Sequence, residues 1–177
     1  MEELIDVLDE FGNPTGVVKK KSEIKKDGNY HRVIAVLVIN NKDEILMQKR
    51  HPNKKVYPNL WSIFVKGHVQ AGETPKEACI RELKEEVGLD ASLNELEYLY
   101  TIKEEVIKKD FIERAFFDTY IFRKDFSIDD VVYQEEELAG IKLVDSSEVI
   151  SLIKNNDSSL VPNYEDYKRI IDIIKRK

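Results

Sequence analysis

The chain has 177 residues, 42% of them hydrophobic and 35% charged, with a net charge of -6 at pH 7. That length buries a core without disulfides or a structural metal, and the composition is that of a folded globular chain rather than a disordered one. The acidic balance argues against a nucleic-acid coat or a binder of anionic membranes, but not against a small phosphate-bearing substrate, because a metal ion can bring positive charge locally.

The opening MEELIDVLDE has neither a basic leader nor an apolar signal core, so a cytoplasmic protein is expected. Residues 3–10 alternate well enough for a strand, 11–16 (FGNPTG) read as a turn, and Val17 and Val18 return as its partner. KKKSEIKKDGN reads as a charged connecting loop. Val33 to Ile39 is a run of seven apolar residues, mostly β-branched, which marks a buried strand and is far too short to span a bilayer. Asn40 to Asp43 form a turn, and Glu44 to Lys49 return as the hairpin partner. His51 to Asn59, with two prolines, is a loop, and Trp61 to Val65 is a short strand. Further strands are expected at Leu96–Ile107, Ala115–Phe122 and near Ile141–Val144. Ser146 to Lys154 reads as a short helix, and Tyr167, Ile170, Ile171 and Ile174 give the tail an amphipathic helical spacing. Strands dominate, with three helices between or after them, so the expectation is an α/β or α+β layered domain with one core over residues 1–177.

The segment GHVQAGETPKEACIRELKEEVGL, Gly67 to Leu89, carries the chemistry. Thr74-Pro75-Lys76-Glu77 has the form of a capping box with proline at the first helical position, and Gly88 is placed to end the helix in a left-handed cap. At about 100° per residue, Cys79, Ile80, Leu83 and Val87 form one core stripe. Glu82, Glu85 and Glu86 form a second, separate cluster. Carboxylates this close repel by a few tenths of a kcal/mol per pair. In water that is tolerable; in a cleft it calls for a cation or a proton. Oxygen ligands of this kind suit Mg²⁺ or Mn²⁺ rather than zinc. Arg81 lies one turn from Glu77 and from Glu85 and can brace the acidic side. Spacing alone leaves a cation site and a solvated acidic face as two open readings. The single cysteine, Cys79, lies in the core stripe as a small buried hydrophobe and excludes an intrachain disulfide. His68 is either a substrate contact or a polar loop residue, and His31 and His51 read as structural.

The same stretch resembles the Nudix box, G-x5-E-x7-R-E-U-x-E-E-x-G-U, where U is a bulky aliphatic. Gly67, Glu73, Arg81, Glu82, Leu83, Glu85, Glu86, Gly88 and Leu89 meet it without departure. The resemblance implies a Nudix-type α/β/α sandwich with a mixed sheet. It also implies Mg²⁺-dependent (or Mn²⁺-dependent) hydrolysis of a diphosphate linked to another group, such as a nucleoside diphosphate derivative. By position, Glu82, Glu85 and Glu86 would hold the metal. Glu86, Glu85 or an acid from a distant loop would orient or deprotonate the attacking water. Gly67 would shape the loop, and Arg81 would brace the box with Glu73.

More weakly, IDVLDEFGNPTG, HRVIAVLVIN, ILMQKR and LWS ahead of GHVQAGE resemble the isopentenyl-diphosphate isomerase-like branch of the superfamily. There, a catalytic cysteine precedes the Gly-His pair, and this chain has Lys66. Histidines matching His31 and His68 serve that branch's metal site, together with a pair of glutamates on a later strand, of which this chain keeps Glu113 and has Ala115 in the other place. The reading is therefore a hydrolase on an isomerase-like frame, with an isomerase or a non-catalytic nucleotide-binding domain as alternatives. Arg50 either pairs with a phosphate or is a surface charge. One of Glu135, Glu136 and Glu137 either joins the metal site or lies in an exposed acidic turn. Tyr57, Trp61, Tyr98 and Phe116 either stack on a base or line the core. The expected partner is a small-molecule diphosphate, not nucleic acid or membrane, and a homodimer stays open.

Overall fold

The structure, a computed structural model, describes residues 2–108 and 111–175. Nine strands and four α-helices follow one another along these residues. They are β1 (Leu4–Leu8), β2 (Pro14–Lys20), α1 (Lys21–Asp27), β3 (His31–Ile39), β4 (Glu44–Arg50), β5 (Trp61–Ser62), β6 (Phe64–His68), α2 (Pro75–Val87), β7 (Leu96–Lys108), β8 (Phe111–Arg123), β9 (Leu138–Asp145), α3 (Ser146–Lys154) and α4 (Tyr164–Lys175). β1 and β2 pair antiparallel by themselves. The larger sheet has the strand order β5-β4-β3-β8-β7, with β6 also on β3 and β9 also on β4. This is the α+β class that the strand-rich pattern predicts, with the mixed sheet that the resemblance implies.

The chain divides into two compact units. The first comprises Met1–Val36, Lys66–Glu82 and Ala91–Ile121. Its β1–β2 hairpin turns at Asp9, whose carboxylate accepts from the backbone N–H groups of Phe11 and Asn13 at 2.9 and 2.8 Å. Ile5, Val7 and Ile24 form a buried cluster that docks α1 on the hairpin. Arg32 grips the buried Asp118 through both carboxylate oxygens at 2.9 and 2.8 Å and also donates to the Gly12 carbonyl.

The second unit comprises Leu37–Val65, Leu83–Asp90 and Phe122–Lys177. β4 pairs with β9 from Glu44↔Asp145 to Arg50↔Leu138 and with β5 through Gln48↔Ser62. Leu37, Ile39, Ile45, Leu46, Met47 and Ile63 are at most 1% exposed and form its centre. α3 occupies the predicted span and is capped by the Asp145 carboxylate on the Ser147 N–H.

Two expectations need correction. The lysine-rich stretch read as a loop holds α1, because Ile24 is buried and Gly28, at φ 66, closes the helix. His68 ends β6 rather than lying in a loop, and the strand read over Trp61–Val65 is broken at Ile63. Among the described residues, no helix is long and apolar enough to cross a membrane.

Candidate active site

α2 starts and stops where its sequence signals place it. The Thr74 N–H donates to Glu77 Oε2 at 2.8 Å, and the Glu77 N–H donates back to Thr74 Oγ1 at 3.3 Å. Gly88 takes φ 72, and a Cβ there would meet the Val132 carbonyl at 3.0 Å, so glycine is needed for conformation and for space. Cys79, Leu83 and Val87 are fully buried, as the core stripe requires. Ala78 joins them, while Ile80 is only half-buried.

Three of the four glutamates of α2, Glu82, Glu85 and Glu86, share one helix face but not one environment. Glu82 is buried at 7% exposure, Glu86 is half-buried and Glu85 is exposed. In the first unit, the backbone of Gly67 on β6 lies directly against Glu82. A Cβ at Gly67 would stand 1.9 Å from Glu82 Cδ and 2.0 Å from its Oε1, so only glycine leaves room for this carboxylate. Arg81 organises the rest. Its NH1 donates to Glu82 Oε1 at 2.6 Å. Its Nε and NH2 donate to the two oxygens of Glu73 at 2.9 and 3.0 Å, and NH2 also donates to the His68 carbonyl at 2.8 Å. Burial alone would lower the Arg81 pKa, but the hydrogen bonds to Glu73 and Glu82 outweigh it and hold the guanidinium charged. Glu73 in turn accepts from the Gln70 N–H at 3.0 Å.

In the second unit, Gln48 Nε2 donates to Glu86 Oε2 at 3.3 Å. The sequence reading missed Gln48, although a polar residue buried at 3% in the apolar run EILMQKR was its available signal. The backbone N–H of Gln134 also donates to the Glu86 carbonyl, so the loop after β8 follows the end of α2. Arg50 spends two donors on the Val56 carbonyl, Nε at 3.0 Å and NH2 at 2.8 Å, and so clamps the loop between β4 and β5. Burial lowers its pKa, against the opposing charge of Glu86. Glu137 forms an ion pair with Lys54, while Glu135 and Glu136 are exposed. Phe116 is buried beside Gly12, whereas Tyr57 and Tyr98 are exposed and Trp61 is half-buried under the Lys142 ammonium, 4.4 Å from its ring centre.

In the first unit, the Glu82 carboxylate seated against Gly67 is an oxygen donor of the kind a hard divalent ion such as Mg²⁺ or Mn²⁺ prefers.

The first unit holds a second polar group. Ligand atoms of His31, His68 and Glu113 lie within 4.8 Å of one another. The two imidazoles stack with centres 5.3 Å apart and planes 12° apart. His31 Nδ1 lies 3.2 Å from the Asn29 carbonyl, and its Nε2 faces Glu113 Oε1 at 3.0 Å. His68 Nε2 is buried and has no hydrogen-bond partner among the described residues. Burial first, then the charges of Lys21 and Lys25, push the His68 pKa well below the usual histidine value and keep the ring neutral. Burial acts to raise the Glu113 pKa, but His31 and Lys25 together bring it below the ordinary carboxylate value. A His₂Glu donor set suits a borderline divalent metal. Lys66, two residues before His68 on β6, rests its ammonium 5.2 Å from the centre of the Phe117 ring.

The NUDIX domain model matches residues 29–165. Nudix hydrolase 3 of Arabidopsis thaliana is 31% identical over 99% of this chain, although the chain spans only 24% of that relative's length. An uncharacterized Nudix hydrolase of Clostridium acetobutylicum is 32% identical over 87% of this chain and 75% of its own. An isopentenyl-diphosphate Delta-isomerase 2 of Photorhabdus laumondii is 29% identical over 88% of this chain and 84% of its own. Among solved structures, a Deinococcus radiodurans protein superposes with a TM-score of 0.65 over 98% of both chains at 17% identity. The Nudix domain of Shewanella oneidensis NrtR, solved with ADP ribose, gives 0.59 over 81% of this chain and 85% of its own at 13% identity.

Proposed function

The chain belongs to the Nudix family of hydrolases, and from that premise we propose that it is a Mg²⁺- or Mn²⁺-dependent enzyme cleaving a diphosphate linkage in a nucleoside diphosphate derivative or a related small molecule. The observation that carries this reading is the brace Glu73–Arg81–Glu82 seated on Gly67, which holds a buried carboxylate against a guanidinium and aims it. Glu82, Glu85 and Glu86 would hold the ion. When bound, that ion neutralises phosphate oxygens and lowers the pKa of a water molecule.

The protein supplies the rest. Glu86, oriented by Gln48, takes a proton from the attacking water, or Glu85 does so from the more exposed side. Arg81 does not touch substrate in this reading; it positions Glu82. Gly67 offers the close backbone approach, His68 lends its carbonyl to Arg81, and Gly88 ends the helix. The chain acts as one domain on a small cytoplasmic metabolite.

An isomerase is the second reading, and the His31–His68–Glu113 group favours it. Against it stand Lys66 in place of the cysteine, which leaves a double-bond shift without one of its two proton-transfer groups, and Ala115 in place of the second glutamate of that branch's metal site.

A panel of nucleoside diphosphates and triphosphates, ADP ribose, dinucleotides, coenzyme A and prenyl diphosphates, assayed with Mg²⁺ and Mn²⁺, tests both. Diphosphate cleavage that falls by at least two orders of magnitude in Glu86→Gln, with the fold unchanged, supports the hydrolase. Alkene migration in isopentenyl diphosphate without hydrolysis of any panel member rejects it, and full activity in Glu86→Gln rejects the assigned role.

A further inference from the structure

The proposed hydrolysis does not use the group of His31, His68 and Glu113, and that group has a feature a simple metal site lacks. Glu113 divides its two oxygens. Oε1 faces His31 Nε2 at 3.0 Å, and Oε2 lies 3.6 Å from Lys25 Nζ. An ammonium thus already stands at the carboxylate that a metal ion in this group would need.

α1 delivers that ammonium. Ile24, 1% exposed and packed with Ile5 and Val7, sets the rotation of the helix. Lys25 follows Ile24 directly, and Lys21, one turn earlier, lies on nearly the same side. Lys21 is itself tied to Glu3 at 2.8 Å. At the other end, Gly28 comes so close to β8 that a Cβ would stand 2.7 Å from Ile112 Cγ2, next in sequence to Glu113. Lys25 is therefore brought to Glu113 by packing. Its side chain is nevertheless 37% exposed, against 13% for Glu113, so the ammonium can withdraw into water while the carboxylate cannot.

We propose that Lys25 is an internal ammonium that competes with a divalent cation for Glu113, so that the His31–His68–Glu113 group takes a metal ion only by displacing it. Two cations sharing one half-buried carboxylate repel, and the mobile one must leave. Ion entry here carries the cost of breaking the Lys25 contact. The consequence is a low-affinity site for a borderline divalent ion, separate from the hydrolytic one. The inference does not depend on the hydrolase reading, and its test does not use activity.

Co²⁺ is titrated into the full chain and into Lys25→Met, Lys25→Arg and their His68→Gln combinations, following the cobalt absorption bands and the heat of binding. Circular dichroism confirms that each variant is folded. Met keeps the aliphatic stem and removes the charge, while Arg keeps the charge. The expected result is a His68-dependent site that binds Co²⁺ at least tenfold more tightly in Lys25→Met than in the wild type, with Lys25→Arg close to the wild type. Equal affinity in wild type and Lys25→Met overturns the proposal. So does tightening in Lys25→Arg equal to that in Lys25→Met, or the absence of any His68-dependent binding in both the wild type and Lys25→Met.

Discussion

At Gly67 a hydrogen atom stands where any other residue would place a carbon against the Glu82 carboxylate. Gly67→Ala must push either β6 or Glu82 aside. Overpacking of this kind costs about 1–3 kcal/mol, and turnover should fall at least tenfold because the displaced group is a proposed ligand. Urea unfolding and initial rates read the two effects separately, and an alanine variant of native stability and rate would refute the role given to the close approach. Arg81 shows a different dependence. Its donors serve Glu73 and Glu82, which are 15% and 9% exposed. Arg81→Met would take the guanidinium from both carboxylates, a loss of about 3–5 kcal/mol by analogy with broken buried pairs, visible as a lower urea midpoint. The sequence places Arg81 beside the acids: spacing offers Glu77 and Glu85 as neighbours, the resemblance offers Glu73, and the structure shows ion pairs with Glu73 and Glu82. Glu73 lies in the loop before α2, so helical spacing alone does not encode its contact with the guanidinium. Arg50 is a similar case: its charge is readable, but its commitment to the Val56 carbonyl is not.

Elements differ in how much of their cause is local. α2 is legible because its caps, Thr74–Glu77 and Gly88, and its apolar stripe all lie within the helix or next to it. α3 matches its predicted span for the same reason. α1 escapes such reading because seven residues with one apolar side chain, Ile24, carry no helical periodicity. It forms because Ile5 and Val7 offer that side chain a place to be buried. Ile24→Ala should therefore cost about 2–5 kcal/mol and raise amide hydrogen exchange in α1 before it does so in α2. Equal protection of both helices in the variant would contradict this account. β6 shows the opposite error: the residues opening the box look like loop because they include glycine, yet Phe64–His68 pair as a strand.

At the scale of the whole molecule, apolar burial is available to build the cores without a metal ion. In the second unit, Leu37 to Ile39 on β3 and Ile45 to Met47 on β4 are at most 1% exposed and entirely apolar. Chelation of divalent ions should accordingly abolish hydrolysis while leaving the thermal midpoint within a few degrees of the metal-loaded protein. A collapse of the fold on chelation would instead make the metal structural. What the sequence determines by itself is whatever is written in short spacing: the box and hence the family, the limits of α2 and α3, the buried strand β3, and the core position of Cys79. What only the tertiary structure decides is which of three equivalent-looking glutamates is buried, that Gln48 serves Glu86, and that Lys25 meets Glu113 beside two stacked histidines. These pairings join residues far apart in the chain. They depend on strand register and helix rotation, which are set by packing the whole core and which no local pattern encodes.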